Sequence, residues 1–330
     1  MNRTKMLLGI FVLISIIPIE IFSQEKEKFL KDHEGHTTYS YNSEKLLLDY
    51  AIKVTPQEEV TIKKKLENFS QHLQSYNSLK NPTGFEVHLI GSIGLEPEFL
   101  KWSKFLHYEL SVITYPWVNY QGKAIWNCSE CGAYFNFLFN RPDKALMGYT
   151  IGDVFDKDGM LINTEPIEIG EQNGCKLYSN GIAVISNGKP LWLPVTVMEY
   201  IEALLRRSKK QLEKGELDQT LYKIFVDKIN EEKSTYTEAE LNSPAYEGDK
   251  MCGCPYRLEG ARAFVKLNKD YFDKTKPSTA IQLIIVEADC IQQMDDGELY
   301  YKSEDSSPQN IKMVEMLKEF NYADFKKFLE

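Results

Sequence analysis

Three Asn-Gly pairs, at 173–174, 180–181 and 187–188, lie close together near the middle of the chain. Asn-Gly tolerates positive φ at both central positions of a tight hairpin, so each pair can reverse a strand within two residues. Runs of strand length and composition surround them, at Pro166 to Gly170, Leu177 to Ile185 and Pro190 to Pro194. Upstream, Phe85 to Ile90 alternates apolar and polar residues, and Tyr108 to Tyr115 and Ala133 to Phe139 are of the same kind. Such closely spaced turns favour an antiparallel meander over a parallel sheet with crossover helices. Two further strand candidates stand at Ala263 to Leu267 and Ala280 to Glu287.

Helices are signalled as clearly. Thr55, Pro56 and Glu58 spell a capping box with proline at the first helical position. Ile62, Leu66, Phe69 and Leu73 then recur at helical spacing and draw one apolar stripe. Thr196 and Glu199 form a second capping box above Val197, Tyr200, Ile201, Leu204 and Leu205. The spacing predicts a further helix over 217–232, with Leu221, Ile224, Phe225 and Ile229 as its core face. Ser307-Pro308 opens a closing helix that carries Ile311, Val314, Leu317 and Phe320. The expected fold class is α+β. It has a largely antiparallel sheet packed by a long N-terminal helix, followed by a helical segment and a smaller α/β C-terminal part. The expected division is an α+β region at 43–195 and a helical and mixed α/β region at 196–330, or else a single interwoven domain.

Residues 1–23 resemble a cleavable export signal. Arg3 and Lys5 precede the apolar run 6–17, Pro18 breaks it, and Ser23 supplies a small residue before a cut at Gln24. The run is short of the ~20 apolar residues that a membrane anchor needs. Residues 24–42 are polar and unpatterned and are expected to form a flexible lead-in. No later segment is long and apolar enough to span a bilayer, so the mature chain is expected to be soluble and periplasmic, cell-surface or secreted. Its net charge of −9 becomes one unit more negative once Arg3, Lys5 and Glu20 leave. That balance argues against nucleic acid and anionic membrane surfaces as partners. The basic run Arg206, Arg207, Lys209, Lys210 reads as the solvated C-terminal end of a helix.

Six cysteines remain after signal removal: Cys128, Cys131, Cys175, Cys252, Cys254 and Cys290. An even number in an exported chain points first to structural disulfides, each contributing about 2–4 kcal/mol. A sharper reading joins Cys128 and Cys131 to Cys252 and Cys254 as a four-thiolate zinc site, although the second pair is one residue tighter than usual. Thiol exchange at Cys128 and Cys131 lacks a neighbouring cation and a helix N-terminus. Val154 to Glu165 partly matches a calcium loop through Asp156, Asp158, Gly159 and Glu165. Val154 stands where the first carboxylate belongs, and a hairpin turned at Asp158-Gly159 is the favoured alternative.

His33-Glu34-Gly35-His36 brings its second histidine one residue too early for a helical zinc motif, and His72, His88 and His107 stand apart from it. No nucleophile elbow or phosphate loop is present. Trp102, Trp117, Trp126 and Trp192 could stack on a ligand, but aromatic residues at strand spacing are more often core. These features favour an exported, non-catalytic binding, accessory or cell-envelope protein stabilised by disulfides, with a protein or glycan partner. The competing expectation is an envelope enzyme, either zinc- or thiol-dependent or a hydrolase with dispersed catalytic residues.

Overall fold

The structure, a computed structural model, describes residues 28–42, 54–94, 103–126, 133–146, 154–173, 175–178, 182–288, 291–293, 299–301 and 307–330. Two strands, β1 (Lys28–Phe29) and β2 (Thr37–Asn42), precede helix α1 (Pro56–Leu73). The short α2 (Asn77–Lys80) follows, then the long antiparallel pair β3 (Phe85–Ile93) and β4 (Tyr108–Tyr120). β5 (Lys123–Trp126) folds back on the far end of β4, and β6 (Ala133–Phe139) lines its near end.

A hairpin of β7 (Val154–Phe155) and β8 (Leu161–Thr164) leads to β9 (Glu168–Gln172), β10 (Cys175–Tyr178) and β11 (Ile182–Ser186). These last three pair antiparallel in chain order, and Asn173, of the first Asn-Gly pair, has the positive φ that a tight turn favours; the second pair, 180–181, lies outside the described residues. After β12 (Trp192–Pro194) come helices α3 (Val197–Glu213), α4 (Gln219–Lys233) and α5 (Glu238–Leu241). Strands β13 (Phe264–Leu267), β14 (Leu283–Glu287), β15 (Ile291–Gln293) and β16 (Leu299–Tyr301) precede α6 (Pro308–Glu319). A 3-10 segment, Tyr322–Phe328, closes the chain.

The strands form a ten-stranded sheet ordered β2-β3-β4-β6-β14-β11-β10-β9, with β1 and β5 also on β4. A four-stranded sheet, β12-β13-β8-β7, and the pair β15-β16 complete the set. The chain is α+β, but the expected architecture needs correction. The large sheet is mixed, because β2 runs parallel to β3 from Thr37↔Val87 to Asn42↔Ser92. The first helix is not N-terminal, since it follows two strands. Parallel neighbours need a crossover connection, and α1 lies on that crossover between β2 and β3.

Nor do the C-terminal strands form a separate α/β part, since β14 sits between β6 and β11 and β13 between β12 and β8. The expected flexible lead-in also supplies β1 and β2. Along β2 the half-buried Thr37, Tyr39 and Tyr41 alternate with exposed residues, a pattern masked in the sequence by their polar atoms.

The stripe on α1 is buried as its spacing predicts. Ile62, Leu66, Phe69 and Leu73 share one core with Val87, Leu89, Leu110, Val112, Phe135 and Phe137, joined by Met313, Met316 and Leu317 of α6. Phe69 stands at the centre, with ring centroids 4.9 Å from Phe137, 5.1 Å from Phe139, 5.3 Å from Phe325 and 4.8 Å from Phe328. Gly91 allows the close approach of α1, because a Cβ there would meet Leu66 Cδ1 at 3.0 Å. The other helices depart from this pattern. Tyr200 of α3 stacks on Phe264 of the smaller sheet at 4.1 Å. On α4 only Ile229 is buried, whereas Leu221, Ile224 and Phe225 are 46%, 56% and 43% exposed. The expected core face of α4 is therefore largely solvent-facing.

Two substitutions test this packing. Phe69→Ala is expected to lower stability by about 3–5 kcal/mol in chemical denaturation, whereas Val60→Ala, at an exposed position of the same helix, changes it by less than ~0.5 kcal/mol. At Gly35 a Cβ would stand 1.7 Å from the carbonyl oxygen of Phe85. Gly35→Ala should therefore cost about 3 kcal/mol and speed proteolysis of residues 28–42. An unchanged cleavage pattern would mean that this segment is not docked on β3 and β4.

Candidate functional site

Strand pairing determines which side chains share the face of the large sheet opposite α1. One row crosses it as Asn42, Ser92, Glu109, Leu138 and Ile285, and the next as Ser40, Ile90, Ser111, Asn136 and Glu287. A third runs Thr38, His88, Ile113 and Tyr134. Towards β14 this face is buried in a second core, where Leu138, Leu283 and Ile285 meet Phe105, Leu191, Tyr271 and Phe272. Towards β2, β3 and β4 the second-face residues are half-buried or exposed.

An aromatic cluster occupies that uncovered part. His88 lies 5.1 Å from Tyr115 and 5.4 Å from Trp126, and Tyr115 lies 5.2 Å from Trp126, so three strands each contribute one ring. Trp126 is 39% exposed and Tyr134, in the same row as His88, 52%. In the row next to His88 on this face are the Ser111 hydroxyl and the Asn136 amide, and one row further are Ser92 and the Glu109 carboxylate, which accepts a 3.0 Å hydrogen bond from Ser92. Glu86, on the same face, accepts from the His36 backbone N–H at 3.2 Å. Rings with flanking acceptors suit a ligand that has both apolar C–H faces and hydroxyl donors.

Charges gather at one corner of this face. The Arg141 guanidinium makes a two-pronged pair with Asp143, at 2.9 and 2.8 Å, and Lys144 holds Glu287 at 3.0 Å. His107 is fully buried nearby, and neither of its ring nitrogens has a hydrogen-bond partner among the described residues. Burial, reinforced by Arg141, brings its pKa from 6.5 down to about 4.

The unfolded chain therefore takes up this proton first as the pH falls. The stability linked to neutral His107 is complete above pH ~6.5 and declines by about 3 kcal/mol on the way to pH ~4. Denaturation midpoints of the wild type and His107→Phe, compared at about pH 7 and about pH 4.5, test this. The variant should lose markedly less stability across that interval, and parallel losses would refute the assignment.

The cysteines do not behave as expected. Cys175, Cys252 and Cys254 are free and buried, while Cys128, Cys131 and Cys290 lie outside the described residues. The expectation of a disulfide framework therefore fails for the three described cysteines. The Cys252-Gly253-Cys254 turn is held from beneath by α4. Glu232 accepts the backbone N–H of Met251 at 3.1 Å and of Cys252 at 2.9 Å, and Tyr236 donates to the Gly253 carbonyl at 2.9 Å. Burial and the Glu232 carboxylate push the Cys252 thiol up to about 12. Among the described residues no cluster of three or more His, Cys, Asp or Glu side chains is placed to hold a metal ion. The other half of the proposed zinc set, and the pair considered for thiol exchange, fall outside the described residues.

The segment 154–165 forms the hairpin. Asp156 Oδ1 accepts the backbone N–H groups of Asp158 and Met160, both at 2.8 Å, and its Oδ2 faces the Lys266 ammonium at 3.2 Å. Lys266 also holds Glu199 at 2.9 Å, which ties the turn to the start of α3. The Lys266 ammonium supplies the counter-charge for the Asp156 carboxylate.

Of the other sequence candidates, His33 stacks on Trp117 at 4.3 Å and Trp192 meets Tyr178 at 5.7 Å. Trp102 lies outside the described residues. The sequence reading noted His88 and Trp126 but missed Tyr115, Tyr134, Glu109 and Asn136. The strict alternation along β3 and β4 was the signal that could have placed them on one face.

The chain matches no family model, no curated protein and no solved structure.

Proposed function

We propose that this is a non-catalytic binding protein of the cell envelope or its exterior, and that its ligand is a glycan held on the uncovered part of the large sheet. One observation carries the reading: the partly exposed rings of His88, Tyr115 and Trp126 converge beside the Glu86 carboxylate, with the Ser111 hydroxyl and the Asn136 amide in the row next to His88. Sugar rings present C–H faces that stack on aromatic side chains and hydroxyls that donate to carboxylates and amides. His88 and Tyr115 project from the long, paired strands β3 and β4 and so are preorganised, which lowers the entropic cost of binding. The export signal expected at residues 1–23 supports the location.

Trp126→Ala removes a partly exposed ring at a sheet edge and is expected to preserve the fold while weakening glycan binding about tenfold or more. Calorimetry with oligosaccharides selected on a glycan array measures this. Equal affinity in wild type and variant, or no binding to any arrayed glycan, would reject the proposal.

A further inference from the structure

Strand pairing fixes a spacing on the uncovered face. His88 of β3 stands opposite Ile113 of β4, and Ile113 stands opposite Tyr134 of β6, so the three share one row across three adjacent strands. Two interstrand steps, about 10 Å, therefore separate His88 from Tyr134. Both ends of the row are aromatic. At one end His88 belongs to the cluster with Tyr115 and Trp126, and at the other Tyr134 stands half exposed. Between them the half-buried Ile113 makes an apolar floor. The neighbouring row, Ile90, Ser111 and Asn136, runs alongside and adds a hydroxyl and an amide. Two ring platforms thus lie on one line, with a polar margin parallel to it.

We infer that the ligand of this face is an unbranched, β-linked glycan chain of the cellulose and chitin kind, lying across the strands along this row. The inference rests on the glycan reading above and adds the shape of the ligand to it. In such a chain each pyranose ring is turned over relative to its neighbours, so the same face recurs at every second sugar. That two-sugar repeat is close in length to two interstrand steps. One sugar then stacks on the His88, Tyr115 and Trp126 cluster, the next passes over Ile113, and the third stacks on Tyr134. Hydroxyls along one edge of the chain meet Ser111 and Asn136. Both platforms belong to one sheet, so a chain held at the first reaches the second without a further loss of translational freedom. An α-linked chain of the starch kind curves away and does not bring equivalent faces into line.

The test is calorimetry with cello-oligosaccharides and chito-oligosaccharides of increasing length, with malto-oligosaccharides as the α-linked control. In a β-linked series, affinity should rise about tenfold or more from disaccharide to trisaccharide, and the trisaccharide should bind better than maltotriose by a similar factor. Tyr134→Ala alters an exposed position and is expected to fold, as circular dichroism would verify. It should bind the disaccharide within about twofold of the wild type yet lose the gain brought by the third sugar. Tyr134→Phe should keep that gain, because stacking uses the ring and not the hydroxyl. Trp126→Ala, by contrast, should weaken binding at every length. Affinity indifferent to chain length, equal binding of maltotriose, or a full trisaccharide gain in Tyr134→Ala would overturn the inference and leave the glycan reading standing. So would binding of other glycans but of neither β-linked series. Absence of binding to any glycan would remove both.

Discussion

Because β2 runs parallel to β3, the chain must cross a face of the sheet between them, and that face has to be closed by whatever makes the crossing. Helix α1 meets the requirement with a single apolar stripe, and Phe69 fastens it to the phenylalanines of β6 and of the C-terminal segment. The first helix and the last residues of the chain thereby share one core. With one face sealed in this way, the opposite face is available for other work.

That opposite face is divided in two. Around β14 it is covered by Phe105, Leu191, Tyr271, Phe272 and Ala280, which makes a second core. Around β3 and β4 the alternation of these strands brings out His88, Ser111 and Tyr115, none of which is fully buried. A surface that mixes aromatic rings with hydroxyl and carboxyl groups does not close into a dry core, because burying the polar atoms without partners costs more than the rings gain. The same physics separates the candidate ligand face from the packed region on a single sheet.

The charged and thiol groups show a different economy. Asp156 is committed to two backbone N–H groups and Lys266, Glu232 to the turn that holds Cys252, and Arg141 to Asp143. Asp156 matched part of a calcium loop in sequence, yet all three side chains serve to fix a local backbone or to neutralise a charge. His107 is the exception, a buried imidazole left without a hydrogen-bond partner among the described residues, and it couples stability to pH for that reason.

Much of the local structure could be read from the sequence, because caps, turns and apolar spacing are short-range. The capping boxes at Thr55 and Thr196, the turn at Asp158-Gly159 and the stripe on α1 all stand where their residues place them. Pairing is a long-range matter, and there the sequence could not decide. Nothing in Thr37 to Asn42 announces a parallel edge strand, and nothing in Leu283 to Glu287 announces a place at the centre of the sheet. The stripe of α4 is the clearest divergence: its spacing matches a core helix, but whether a face is buried depends on what packs against it, and here α3 covers only the Ile229 side. The sequence by itself determined which segments are helices and turns, since those choices rest on neighbouring residues. Only the tertiary structure decided which of their faces meet each other and which are left for a ligand, since burial is a property of distant segments brought together.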